Sequence, residues 1–329
     1  MTAEPGTRVI KPDAAGIAAA VRCLAAGGLA AFPTETVYGL GADAGNGEAI
    51  ARLYAAKGRP RFNPLISHVA ESSQARALGH FDDVAEKLAA AFWPGPLTLV
   101  VPKRAGCTVA DLALAGLDTI ALRMPAHPVA RGLLAAFGKP VVAPSANRSG
   151  HVSPTDAAHV LADLRGRIDL VLDGGACPVG LESTIVAAFD RPKLLRPGGV
   201  PRGQIERVLG HALADAPIAD DKPLAPGMLP SHYAPKAKLR LNADAVHPDE
   251  ALLAFGPPVA LKDGQPVRNL SPRGDLVEAA ANLFSHLRAL DASGAGAIAV
   301  MNVPNEGLGE AINDRLARAA APKSESKRV

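Results

Sequence analysis

The chain of 329 residues is poor in aromatic side chains, poor in cysteine and nearly balanced in charge. Aromatics are 4% of it, so the interior has to be built from Ala, Val, Leu and Ile, and no basic stretch is interleaved with rings in the manner of a base-stacking surface. Cys23, Cys107 and Cys177 lie far apart, with no CxxC pair and no histidine spacing typical of zinc. The simplest expectation is reduced, mostly buried thiols in a cytoplasmic protein. With 35 basic and 32 acidic residues, the net charge of +3 is too small to mark a nucleic-acid protein by charge alone. No apolar run approaches membrane-spanning length, and the opening MTAEPGTRVIKPD is too polar for a secretion signal. A GxxxxGKS/T loop, a GxGxxG after a strand, a GxSxG elbow and an HExxH pair are all missing. A nucleotide, if bound, is bound by another device.

What is present is a large apolar fraction, 48%, and enough length for two domains. The 32 glycines and 29 prolines follow no period, which indicates many tight turns. Residues 14–26 read as a helix stopped by Gly27-Gly28, and 29–32 as a buried strand running into Pro33. Asn46 is placed to cap a helix over GEAIARLYAAK that stops at Gly58. PLISHVA, LTLVV, TIALRM, PVVA and IDLVLD read as strands, HPVARGLLAAF and residues 155–165 as helices, and STIVAAF with KLLR as a hairpin. Alternation of this kind predicts an α/β domain over residues 1–210. Five prolines between His211 and Pro235 then suggest a stiff extended linker, residues 211–236. KLRLN, a helix at 275–290, AIAVMNV and GEAINDRLARA predict a small second α/β unit over residues 237–329.

Polar residues gather where the apolar strands end. KGRPRFNPL puts Lys57, Arg59 and Arg61 on a proline-stiffened turn. Lys57 has a structural reason at a helix C-terminus; Arg59 and Arg61 do not, and a stiff turn lowers the entropy of holding cations on a polyanion. In FPTETVYGLG, Thr34, Glu35 and Thr36 precede Gly39 and Gly41, where a backbone can approach a ligand closely. Thr119 and Arg123 share one face of TIALRM, and an arginine there is either in water at the strand end or bound to something. Ser145 and Asn147 end PVVAPSAN, in the position of a ligand crevice of an open sheet or of a plain turn. His68, Glu182, Ser183, Thr184 and Arg196 are also at strand ends, and each has an ordinary structural reading.

In order along the chain, FPTETVYGLG, KGR with FNPLISHV, WPGPLTLV, LRMP, PVVAPSAN, LESTIV and LRPGG resemble the YrdC-domain family, from about residue 10 to 210. With SHYAP in the proline-rich stretch, the sequence is similar to the long, two-domain form of the threonylcarbamoyl-AMP synthases. The resemblance implies a YrdC-like twisted open mixed sheet with a concave basic face, plus a small Rossmann-like C-terminal domain. It implies a nucleotidyltransferase that makes threonylcarbamoyl-AMP and pyrophosphate from L-threonine, bicarbonate or CO2, and ATP with Mg2+, feeding a downstream threonylcarbamoyl-transfer machinery that modifies tRNA. By motif it assigns threonine to Thr36, His68, Arg123, Ala143 and Ser183. ATP goes to Arg59, Asn63, Thr119, Ser145, Ser153, Arg196 and Tyr233, and the K-x-R and S-x-N signatures give Lys57, Arg59, Ser145 and Asn147 catalytic roles. Arg123 is expected to grip the threonine carboxylate through two parallel hydrogen bonds, Lys57 and Arg59 to stabilise the transition state, and the linker to cover the cleft. No side chain is assigned to a metal. Two other readings stay open: an RNA-binding or assembly module without catalysis, and adenylation of a different carbamate on the same fold.

Overall fold

The computed structural model describes residues 6–60, 62–215, 225–226, 232–257 and 264–322; Arg61 and most of the proline-rich stretch, Ser231 included, lie outside the described residues. The larger unit runs β1 (Arg8–Ile10), α1 (Ala14–Ala25), β2 (Ala30–Phe32), β3 (Gly39–Asp43), α2 (Gly47–Lys57), β4 (Ile66–His68), α3 (Ser72–Leu78) and α4 (Asp83–Phe92). It continues through β5 (Leu97–Pro102), α5 (Asp111–Leu114), β6 (Thr119–Arg123), α6 (Pro128–Phe137), β7 (Val141–Val142), α7 (Ala157–Leu164), β8 (Leu170–Leu172), β9 (Thr184–Ala187), β10 (Lys193–Arg196), α8 (Arg202–Leu209) and β11 (Ala214–Asp215). Its strands form one mixed sheet in the order β1-β8-β2-β3-β7-β4-β6-β5-β9-β10-β11. The smaller unit has β12 (Lys238–Arg240), β13 (Glu250–Ala254), β14 (Val267–Asn269), α9 (Leu276–Asp291), β15 (Ala297–Val300) and α10 (Gly309–Ala320). Its sheet, in the order β12-β15-β13-β14, is wholly parallel.

The helix ends follow local chemistry. Asn46 Oδ1 accepts from the amides of Glu48 and Ala49 at 3.0 Å, and Gly58 closes α2 at φ 60°, where a side chain would be strained. Asp13 and Asp275 cap α1 and α9 in the same way.

In the middle of the large sheet the two faces are separated by the period of two. Ile120 and Leu122 of β6 point into the main helix-covered core with Leu97, Leu99, Val101 and Val186. Ala121, on the opposite face, packs with Ile66, Val100, Ile185, Ala187 and Leu195, and that layer is covered by Ala225 of the linker. Over β4, β6, β5, β9 and β10 this second face is covered by the linker and not by a helix, whereas over β2, β8 and β7 it is covered by α1 and α6; the polar strand ends emerge on the helix-free part.

Several expectations need correcting. Gly39 and Gly41 belong to a strand, β3. A Cβ on Gly41 would stand 2.9 Å from the Phe32 ring and 3.0 Å from the Ala30 carbonyl, and one on Gly39 3.1 Å from the Ala143 Cβ, so both admit neighbouring strands and not a ligand. The large sheet takes a further strand, β11, from beyond Gly210. Of the thiols, only Cys177 is buried; Cys23 and Cys107 are half-exposed, and none is in a disulfide. Among the described residues, no helix is long and apolar enough to cross a membrane.

Candidate active site

The open face of the sheet ends in a cavity of about 50 Å³. Nine of the fourteen residues singled out from the sequence line it: Thr36, Arg59, His68, Arg123, Ala143, Ser145, Ser183, Arg196 and Tyr233. Parallel pairing of β4 with β6 sets His68 beside Arg123. The Arg123 Nη2 donates to Glu35 Oε1 at 2.6 Å and its Nε to the Gly95 carbonyl at 3.3 Å. Glu35 Oε2 accepts from the amides of Ala126 at 3.0 Å and His127 at 3.4 Å. Burial opposes ionisation of Glu35, but Arg123 and the backbone donors outweigh it and hold the carboxyl below its ordinary value. The apolar-strand arginine is thus bound to a partner, the second of the two alternatives its position allowed. A side-on fork through Nε and Nη2 toward a threonine carboxylate is, however, already taken, which leaves Nη1 and one hydrogen of Nη2. His68 Nδ1 lies 3.2 Å from the Ile66 carbonyl. Burial, then the Arg123 charge, pushes the imidazole down to about 3, so it is neutral at physiological pH. The Thr36 hydroxyl is 2.7 Å from that of Thr34, and the Ser183 hydroxyl 2.7 Å from that of Thr98.

Two further cations are fixed on backbone carbonyls. Arg59 Nη2 donates to the Pro64 carbonyl at 3.1 Å and Nε to that of Asn63 at 3.4 Å; burial lowers its pKa to about 10, still fully charged near neutrality. Arg196 reaches the Ser183 carbonyl through Nη2 at 2.8 Å and Nε at 3.2 Å, and the Pro226 carbonyl of the linker through Nη1 at 3.4 Å. Pro226, His232 and Tyr233 bring the linker onto the cavity wall.

Lys57, Asn63, Thr119, Asn147 and Ser153 do not line the cavity. Lys57 is the clearest departure. Its Nζ donates to the carbonyls of Ser145 and Asn147, each at 2.5 Å, and burial followed by the Arg59 charge pulls its pKa well below 10.5. It braces the loop that carries Ser145 and does not present its charge to the cavity. The Ser153 hydroxyl donates to Glu182 Oε1 at 2.5 Å. Asn63 Oδ1, Thr119 Oγ1 and Asn147 Oδ1 are buried without a hydrogen-bond partner, a costly condition.

The sequence family described as Telomere recombination matches residues 22–198, and the one described as Threonylcarbamoyl-AMP synthase, C-terminal domain, matches residues 200–321. A Bacillus subtilis (strain 168) protein named threonylcarbamoyl-AMP synthase is 41% identical, with 92% of each chain covered. The chain belongs to the threonylcarbamoyl-AMP synthase family. Another threonylcarbamoyl-AMP synthase, from Pyrococcus abyssi, is 43% identical over 89% of this chain and 91% of its own. The crystal structure of P. abyssi Sua5 complexed with L-threonine is similar to this one with a TM-score of 0.88 at 39% identity, covering 95% of this chain and 98% of that one.

Within this member of the threonylcarbamoyl-AMP synthase family, sequence reasoning left four residues out of the site. In the sequence Glu35 is a carboxylate in a turn, and its bond to Arg123 spans two motifs. Glu182 and His232 line the cavity. Arg315, on the last helix, donates to Glu182 Oε2 at 2.8 Å. Its signal in the sequence, a basic residue in an amphipathic helix, is the same as that of a solvated one.

Proposed function

We infer that the chain makes threonylcarbamoyl-AMP. The L-threonine amine bonds to the carbon of CO2 and loses a proton. A carbamate oxygen then attacks the α-phosphorus of ATP, the bond to the β-phosphate breaks, and pyrophosphate leaves. The observation that carries this reading is the gathering of Arg59, Arg123 and Arg196 on one cavity with the hydroxyls of Thr36, Ser145 and Ser183. The two substrates repel one another, and fixed cations facing one small space oppose that repulsion.

Arg123, oriented by Glu35, receives the threonine carboxylate end-on, beside Thr36, His68, Ala143 and Ser183. Arg59, Ser145, Arg196 and Tyr233 receive the nucleotide, and Asn63, Thr119, Asn147 and Ser153 stand behind that wall. With His68 and His232 both held at about 3 by burial, neither is basic enough to take the amine proton at neutral pH, and water takes it. The cavity carboxylates fit poorly as Mg2+ ligands, because Glu35 is bonded to Arg123 and Glu182 to Ser153 and Arg315. Mg2+ enters on the phosphates as part of the substrate. The product passes to a threonylcarbamoyl-transfer step on tRNA in the cytoplasm.

Pyrophosphate release from ATP, measured with and without L-threonine and bicarbonate, tests the reading. Release is expected only with both. Turnover indifferent to threonine would point to another carbamate, and RNA binding without turnover to an assembly module. Arg123→Lys is expected to weaken threonine binding by about tenfold, since a point charge replaces a planar group; unchanged affinity removes Arg123 from the threonine site.

A further inference from the structure

The cavity wall includes a carboxylate, Glu182, that a triphosphate would find repulsive. Both its oxygens are turned onto protein. Oε1 accepts from the Ser153 hydroxyl at 2.5 Å, and Oε2 from Arg315 Nε at 2.8 Å. Arg315 comes from α10 of the C-terminal unit and is wholly buried. Its Nη1 donates to Asp314 Oδ2 at 2.6 Å and its Nη2 to the Pro197 carbonyl at 2.9 Å, and its guanidinium carbon lies 5.2 Å from the centre of the Tyr233 ring. A buried arginine is costly unless all its donors are used. Here the donors are spent largely on the catalytic unit, at the back of a cavity whose nucleotide side carries Arg196 and Tyr233. Thr36, His68 and Arg123 share no hydrogen bond with it.

We propose that Arg315 is a positioning residue of the nucleotide site: it neutralises Glu182 and holds that carboxylate turned away from ATP, so that the C-terminal unit completes the wall that receives the triphosphate. This rests on the assignment of ATP to the cavity. Without Arg315 the Glu182 charge is released toward the nucleotide. Without both, the obstacle disappears together with the group that restrained it.

The test is ATP and L-threonine binding by titration calorimetry on the full chain, with Arg315→Met, Glu182→Gln and the double variant. Arg315→Met is expected to weaken ATP by about tenfold or more and leave threonine within about twofold; adding Glu182→Gln is expected to bring ATP back to within about threefold of wild type. A merely structural arginine would not be rescued in this way. Unchanged ATP affinity in Arg315→Met, a double variant no better than Arg315→Met, or a wild type that does not bind ATP overturns the proposal. Should Arg315→Met fail to fold, the double variant, which buries no unpaired charge, is compared directly with wild type. ATP within about threefold supports the proposal and a loss of about tenfold overturns it. A wild type that binds ATP but releases no threonine-dependent pyrophosphate overturns the activity alone, because the calorimetric comparison needs no turnover.

Discussion

Replacing Glu35 by Gln isolates the buried pair that aims Arg123. The two side chains are 9% and 4% exposed, so water screens their interaction little. Gln keeps the shape and one acceptor oxygen. Its amide nitrogen must then face either the Arg123 Nη2, now 2.6 Å from Oε1, or the backbone amides of Ala126 and His127 on Oε2. Donor meets donor in both orientations. The variant loses a charge-assisted hydrogen bond, about 1.5–3 kcal/mol, and strands a buried donor at a further cost of about 1–3 kcal/mol. The sum, about 2.5–6 kcal/mol, overlaps the roughly 3–5 kcal/mol for breaking a buried pair, and a value toward the low end, about 3 kcal/mol, is expected because Gln keeps one acceptor bond. The sign of its pH dependence follows from the depressed carboxyl. The stabilisation is complete above the unfolded value, near 4.5, and is lost as pH falls through the lower folded value. Urea unfolding of both proteins should show a difference of about 3 kcal/mol near pH 7 that shrinks steadily below about pH 4.5. A difference that stays constant down to about pH 3.5 would refute the electrostatic account and leave only shape.

Gly180→Ala should separate the two units. Gly180 has φ +71°, and an added Cβ would stand 2.5 Å from the Ala280 carbonyl and the Ala281 Cα of α9, so unfolding stability should fall by more than the roughly 1 kcal/mol cost of a left-handed alanine, with a lowered melting temperature; no change refutes the close packing. ATP affinity should fall with it, because Tyr233 stacks on Phe284 of the same helix at 5.6 Å. Lys57→Met should strand the Ser145 and Asn147 carbonyls and lower kcat while threonine affinity holds; equal losses in both would refute a role confined to bracing the loop. Since burial depresses the Lys57 pKa, the unfolded chain binds more protons once pH exceeds the folded value, and wild type should gain stability over the Met variant as pH rises toward 10.5.

Much of the catalytic unit was legible because its helices carry caps and its strands are short apolar runs ending in polar groups. Asn46, Gly58 and Asp275 mark helix ends by chemistry that acts within a few residues. What was hidden acts between distant residues or without side-chain signature. The EALLA run of β13 is as consistent with a buried helix as with a strand, and VRN of β14 has no alternation. The helix α4 was readable, with Asp82 at its cap and Ala85, Leu88 and Ala89 on one face, yet it stood between two stronger strand signals. The gathering of Arg59, Arg123 and Arg196 could be expected from motif order. Their partners could not, since a main-chain carbonyl leaves no mark in a sequence.

Those carbonyls have a consequence for what the protein will tolerate in solution. Arg59 and Arg196 lean on neutral dipoles of Asn63, Pro64, Ser183 and Pro226 and not on acidic partners. An arriving triphosphate therefore has no resident counter-ion to evict from them. The same openness makes the site indiscriminate toward small multivalent anions: free tripolyphosphate should compete with ATP, and added salt should blunt both alike.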